Sequence, residues 1–142
     1  MNNSNLNIYQ KILKILLGMF LLLAGVAHLT WSRTEFLAQV PPWVPMDPDL
    51  VVVLSGIVEV VLGLALLFVR KNIHYVGGIV ALFFIAIFPG NISQYLNQID
   101  AFGLDTDRAR FIRLFFQPVL ILWALYSCGS LRKWKLKRQK HA

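Results

Sequence analysis

The sequence predicts an all-α membrane protein, a four-transmembrane-helix bundle with both termini in the cytoplasm. Three observations lead there. Of the 142 residues, 57% are hydrophobic and 15% are charged, whereas soluble domains carry about 25% charged residues and about 45–50% apolar ones. A chain this short cannot hide so much apolar surface from water. The apolar residues also gather into four runs, each near the ~20 residues that a helix needs to cross a bilayer core. Finally, Lys and Arg are shared unevenly between the short loops, which sets orientation. The expected spans cover 8–29, 49–69, 73–97 and 109–128, in one domain over 1–131, with a basic cytoplasmic tail over 132–142.

The first span begins at Ile8 and ends at Leu29, with Lys11 and Lys14 near its start. Gly25-Val26-Ala27 imitates a signal-peptidase site. The apolar run is long for a cleaved leader, and cleavage would remove a quarter of the bundle, so it is read as a retained span. Thr30 to Asp49 is a polar loop stiffened by Val40-Pro41-Pro42-Trp43-Val44-Pro45, since prolines fix φ and favour an extended path. Trp31 and Trp43 suit the headgroup interface. Asp47-Pro48 opens the second span with an acceptor for free N–H groups and a residue lacking one.

Arg70 and Lys71 close that second span. The third is uniformly apolar from Ile73 to Phe88 and meets Pro89-Gly90, where a kink is expected. It then turns polar through Asn91, Ser93, Gln94 and Asn97. Asp100 to Arg108 is a hydrophilic loop in which Asp105 or Asp107 is the expected helix cap, and Ala109 to Cys128 forms the fourth span.

Orientation follows from the basic residues. Lys11, Lys14, Arg70, Lys71 and the tail residues Arg132, Lys133, Lys135, Lys137, Arg138 and Lys140 fall on one side. Arg33, Arg108, Arg110 and Arg113 fall on the other. The richer side faces the cytoplasm, which implies a multi-pass protein of a bacterial cytoplasmic (inner) membrane. A net charge of +7 read alone would suggest nucleic acid. No nucleic-acid motif accompanies it, and a basic cluster beyond an apolar span reads the anionic leaflet instead. The single cysteine, Cys128, excludes an internal disulfide. His28 and His74 fall at opposite membrane faces and His141 in the tail, so neither a metal site nor a haem pair is expected. No covalently bound cofactor is implied.

Polar residues inside spans mark the bundle interior, because lipid-facing surfaces must be apolar. Each span has one stripe at one-face spacing: Gly18, Gly25 and His28; Ser55, Glu59 and Gly63; Asn91, Gln94 and Gln98; Arg110, Arg113 and Gln117. At ~1.5 Å per residue, Glu59 and Gln117 lie roughly 12 Å below the outer helix ends, and His28 lies close to the rim. The other halves of the spans read as almost purely Leu, Ile, Val and Phe. A carboxylate at the depth of Glu59 costs about 2.5–3.5 kcal/mol and needs protonation or a partner. Arg113 and His28 are the candidates. Gln117 precedes Pro118, whose missing N–H frees a carbonyl one turn back that Gln117 could satisfy. The expected site is a cavity in the outer half floored near Glu59, covered by Trp43, above a half packed shut by the runs around Leu16, Leu66, Val80 and Leu125.

These residues carry a family likeness. Gly25-Val26-Ala27-His28, Val40-Pro41-Pro42-Trp43-Val44-Pro45, Ser55-Gly56-Ile57-Val58-Glu59 with Gly63, Phe88-Pro89-Gly90-Asn91-Ile92, and Arg113 to Gln117 with Trp123 resemble the DoxX-like family of small membrane proteins. Phe115-Phe116 stands where that pattern has a proline, which bears on the local shape of the fourth helix. The resemblance implies a four-helix membrane bundle, some members being linked to quinone-dependent thiosulfate oxidation or to quinone and oxidative-stress resistance.

The resulting expectation is a membrane subunit that binds a quinone or similar small amphipathic molecule and serves a soluble or membrane redox partner. Glu59 and His28 are the candidate catalytic residues, exchanging and relaying a proton. Arg113, Asn91, Gln117, Gln94, Ser55 and Trp43 are the candidate ligand-binding residues. The chain has no self-sufficient redox centre, so an oxidoreductase role would be that of a subunit. A small proton-coupled exporter is the alternative, although four-helix exporters carry their glutamate in the first helix. A purely structural membrane anchor is the other, and it would not need the polar interior.

Overall fold

The computed structural model describes residues 5–142. Helix α1 (Ile8–Leu29) opens with a reciprocal cap: the Gln10 amide donates to the Asn7 side chain at 2.8 Å, and the Asn7 amide to the Gln10 side chain at 3.1 Å. A short helix, α2 (Arg33–Leu37), lies in the following loop. Helix α3 (Pro48–Phe68) starts as Asp47-Pro48 implies, with the Leu50 amide donating to the Asp47 carboxylate at 3.1 Å. Helix α4 (Ile73–Leu96) runs on through Pro89 as one continuous helix. Then come α5 (Asp107–Leu114), α6 (Phe116–Ser127) and α7 (Ser130–Lys140).

Among the described residues, four stretches are long and apolar enough to cross a membrane: α1, α3, α4 and the α5–α6 pair over Asp107–Ser127. The protein is an all-α, four-helix membrane-spanning bundle. Its outer faces are apolar, with Met19, Leu23, Val61, Leu82 and Leu122 exposed where lipid tails would lie. Leu17, Leu21, Leu66, Val80 and Ala124 are fully enclosed.

Helices α1 and α3 approach through glycines. A Cβ on Gly63 would stand 2.8 Å from the Gly18 carbonyl oxygen, and one on Gly25 would stand 2.7 Å from that of Gly56. Small residues let backbones touch in membranes, where dispersion replaces the missing hydrophobic drive. Gly77 does the same for α4, leaving room for Cys128 and for Ala124 of α6.

Several expectations need correction. The cap of the fourth span is Thr106, whose hydroxyl accepts from the Ala109 amide at 3.1 Å; Asp107 is already the first helical residue and Asp105 plays no part. That span is interrupted at Phe115. Pro118 has no N–H for the Leu114 carbonyl, and the Phe115 amide pairs with Ile112 in a tighter turn at 3.1 Å. The basic tail is helical over most of its length. Leu16 is itself half-exposed on the lipid-facing side, and its neighbour Leu17 is the enclosed residue of that run.

The end that holds the two termini is also less apolar inside than expected. Lys14 is only 2% exposed, its ammonium donating to the Leu66 carbonyl at 2.5 Å. That carbonyl belongs to the last turn of α3, where no intrahelical amide remains to serve it. The Gln10 amide serves Tyr126 near the end of α6 in the same way, at 2.9 Å.

Candidate functional site

The glycine contact between α1 and α3 builds the centre of the site. A Cβ on Gly56 would sit 2.7 Å from the His28 Cβ, so its absence lets His28 lie beside α3 within reach of Glu59, one turn on. The His28 Nδ1 stands 2.7 Å from the Glu59 Oε2 and 2.9 Å from the Ala24 carbonyl oxygen. One ring N–H faces two acceptors. With that hydrogen directed at Ala24, Oε2 is left without a hydrogen-bond donor. Both side chains are buried, Glu59 to 4% exposure and His28 to 8%. Phe36 of α2 stacks on the His28 imidazole, with the ring planes 14° apart, and its own edge meets Phe102.

The opposite wall comes from α4 and the fourth span. The Asn91 amide donates to the Gln117 side-chain oxygen at 3.1 Å, and the Gln117 amide donates to the Phe84 carbonyl at 2.6 Å. Gln117 therefore ties α6 to α4 and does not serve the carbonyl that Pro118 frees in its own helix. Asn91 Oδ1 is left without a partner, and so is Nη1 of Arg113. The Arg113 guanidinium lies 6.0 Å from the Phe116 ring centroid, a cation–π distance. Glu59 is paired with His28, and no ion pair joins it to Arg113 among the described residues.

Between these walls lies a cavity of about 670 Å³, within the range of small-molecule sites. His28, Gln39, Ser55, Glu59, Asn91, Arg113 and Gln117 supply its polar lining. Phe20, Phe83, Phe84 and Leu120 supply apolar surface, and Trp43 with Val40, Pro41 and Val44 borders it from the proline-rich loop. Trp43 is itself largely exposed.

Gln94 stands apart from this lining. Its amide donates to the Ile99 carbonyl at 3.2 Å, and its oxygen accepts from Gln39 at 3.1 Å. Gln98 lies beyond the end of α4 with φ +52°. Arg110 turns away to the loop, donating to Asp100 at 2.6 Å, Leu104 at 2.9 Å and Asp107 at 2.9 Å. These residues fasten the loops over the bundle rather than line the cavity. Gln39 is the lining residue that the sequence reading missed. Its carbonyl fits against Gly90, where any Cβ would collide with it, so the glycine beside Pro89 makes room for the loop. Phe36 was missed as well, because its stacking on His28 joins two elements with no shared periodicity. Among the described residues, no group of three or more His, Cys, Asp or Glu side chains gathers as metal ligands would.

No curated protein and no solved structure matches this chain. A family model matches from the middle of α1 to the end of the fourth span, over residues 17–128, and the chain thereby belongs to the family described as a domain of unknown function (DUF8561).

Proposed function

We propose that this protein binds a small amphipathic molecule, of the quinone or quinol class, in the cavity floored by Glu59, and that it serves a redox partner there. One observation carries the reading: Asn91 Oδ1 and Arg113 Nη1 are buried without hydrogen-bond partners, and they line one cavity with Glu59, whose Oε2 competes with the Ala24 carbonyl for the single His28 Nδ1 hydrogen. A buried polar atom left unpaired costs about 1–3 kcal/mol. Two acceptors and one donor are the complement of a group that can both give and take a hydrogen bond, as a hydroxyl or a hydroxyl–carbonyl pair does. The phenylalanines provide the apolar partner for the rest of such a molecule.

Under this reading Glu59 takes or gives the proton that a quinol or quinone exchanges, and His28 passes it toward the loops. Arg113, Asn91, Gln117 and Ser55 hold the polar head, and Trp43 covers the opening. The electrons come from or go to a partner, since the chain's residues carry no redox centre. The resemblance to the DoxX-like family favours the quinone class. The membrane we assign is a bacterial inner membrane, and the basic-residue split favours both termini cytoplasmic.

The test is purification in mild detergent followed by mass spectrometry of co-purifying lipids and quinones, repeated for Glu59→Gln and Arg113→Leu. A quinone that is retained by the unaltered protein and lost from both variants supports the reading. Retention of none, or of the same amount by all three, sinks it.

A further inference from the structure

The end of the bundle opposite the cavity carries ten of the fourteen Lys and Arg residues and none of the seven Asp and Glu. Lys14 is taken up inside the bundle by the Leu66 carbonyl. Lys11, Arg70, Lys71 and the six cations of α7 are left at the surface, Lys11 and Lys133 half-buried and the others exposed. Within α7 the cations repeat at helical-neighbour spacing, as in Lys133 with Lys137, Lys135 with Arg138, and Lys137 with Lys140. Like charges three or four apart destabilise a helix, and eleven residues are too few for a stable helix alone.

The helix is nonetheless held in place. Gly129 turns the chain through φ +68°, and the Ser130 hydroxyl donates to the His74 carbonyl at 2.7 Å. The Trp134 ring comes to 3.3 Å from the point where a Cβ on Gly78 would lie. Leu131, Trp134 and Leu136 remain about half-exposed among the cations. Beyond Trp134, a groove bordered by Lys137, Arg138 and His141 opens at the helix end. Apolar and cationic side chains interleaved on a helix docked at the end of a membrane span fit one environment, the anionic headgroup layer.

We propose that α7, with Arg70 and Lys71, forms a binding surface for anionic phospholipid headgroups, and that these lipids supply the counter-charge which the chain lacks at this end. The occupant is lipid and not nucleic acid. The surface continues directly from the transmembrane spans, and the half-exposed Leu131, Trp134 and Leu136 suit the acyl boundary, not a duplex.

The test uses the full-length protein in nanodiscs of phosphatidylcholine mixed in equal parts with phosphatidylglycerol. Native mass spectrometry after transfer to detergent reads which lipid is retained. Phosphatidylglycerol should be retained in clear excess, and Lys135→Gln/Lys137→Gln/Arg138→Gln should reduce that preference about a hundredfold, at about fivefold per cation. Circular dichroism checks that the variant keeps its helix content. Should it lose helix, ~1 M salt applied to the unaltered protein replaces it, because screening must abolish a preference of this origin. Equal retention of both lipids, a preference untouched by the substitutions or by salt, or displacement of the lipid by a DNA duplex would overturn the proposal.

Discussion

Glu59 and His28 meet because two glycines allow it, and the contact concentrates the cost of a buried carboxylate at one place. A side chain on Gly56 would push against His28 and against the Gly25 carbonyl, 3.1 Å away. Gly56→Ala is therefore expected to lower stability by about 1–3 kcal/mol, the usual cost of overpacking, and to part the pair. Thermal unfolding in detergent checks this against Ile57→Val, a change on the exposed face that should be nearly silent. Glu59→Gln leaves the shape of the cavity floor intact and removes its charge. Helix content and expression should persist, while ligand retention falls at least about tenfold, as expected for a lost hydrogen bond to a charged group. A variant that unfolds, with no separate effect on ligand, would mark the pair as purely structural. The sequence marked Glu59 because ionised groups are rare at such depth, and it narrowed the partner to two residues. It could not choose between them, since the choice depends on how closely α1 and α3 approach.

Three helices, α1, α3 and α4, begin and end within a residue of the apolar runs, whereas α2, α7 and the break between α5 and α6 were not legible. Hydropathy gave α1, α3 and α4, and Asp47-Pro48 gave the start of α3, because caps and apolar runs are local signals. What escaped was long-range or hidden behind a competing signal. Lys14 reads as a flanking charge, yet its long stem lets the ammonium reach the end of α3. Gly90 reads as half of a kink, yet its role is to admit the Gln39 carbonyl from a loop about fifty residues earlier in the chain. The Pro-rich loop thus gains a fixed seat from Gly90, from the Gln39–Gln94 bond, and from the Glu35 carboxylate, which accepts the Phe102 amide at 2.8 Å. Gly90→Ala should unseat that loop while leaving α4 helical. Hydrogen exchange should then quicken at residues 38–44 and stay unchanged at 80–86. Equal exchange in both segments would mean the seat is made elsewhere. Pro118 was visible in the sequence, but its effect lands one turn earlier, at Phe115, which places Arg113 and Gln117 on two different helical pieces.

At the scale of the whole molecule the two ends are chemically unlike. Six of the seven carboxylates lie in the loops and first helical turns at the cavity end, and Glu59 lies within the cavity. Arg33 pairs with Asp49 there, and Arg110 pairs with Asp100 and Asp107, so two of that end's four cations are neutralised locally. The opposite end has no Asp or Glu to do this. Because the number of spans is even, both termini share that end. Retention of basic loops in the cytoplasm then predicts the termini inside and the cavity opening outward. Alkaline phosphatase fused at Asp105 should be active in intact cells, and the same reporter after the C-terminus should be inactive. The tail supplies six of the ten cations, so replacing Arg70 and Lys71 with Gln should leave the orientation intact. Also replacing the six tail cations should produce a mixed population, with activity rising at the C-terminal fusion and falling at Asp105. If the C-terminal fusion is active in the unaltered chain, the cavity faces the cytoplasm. Proton exchange at Glu59 would then be with that compartment, and the basic helix would meet the outer leaflet.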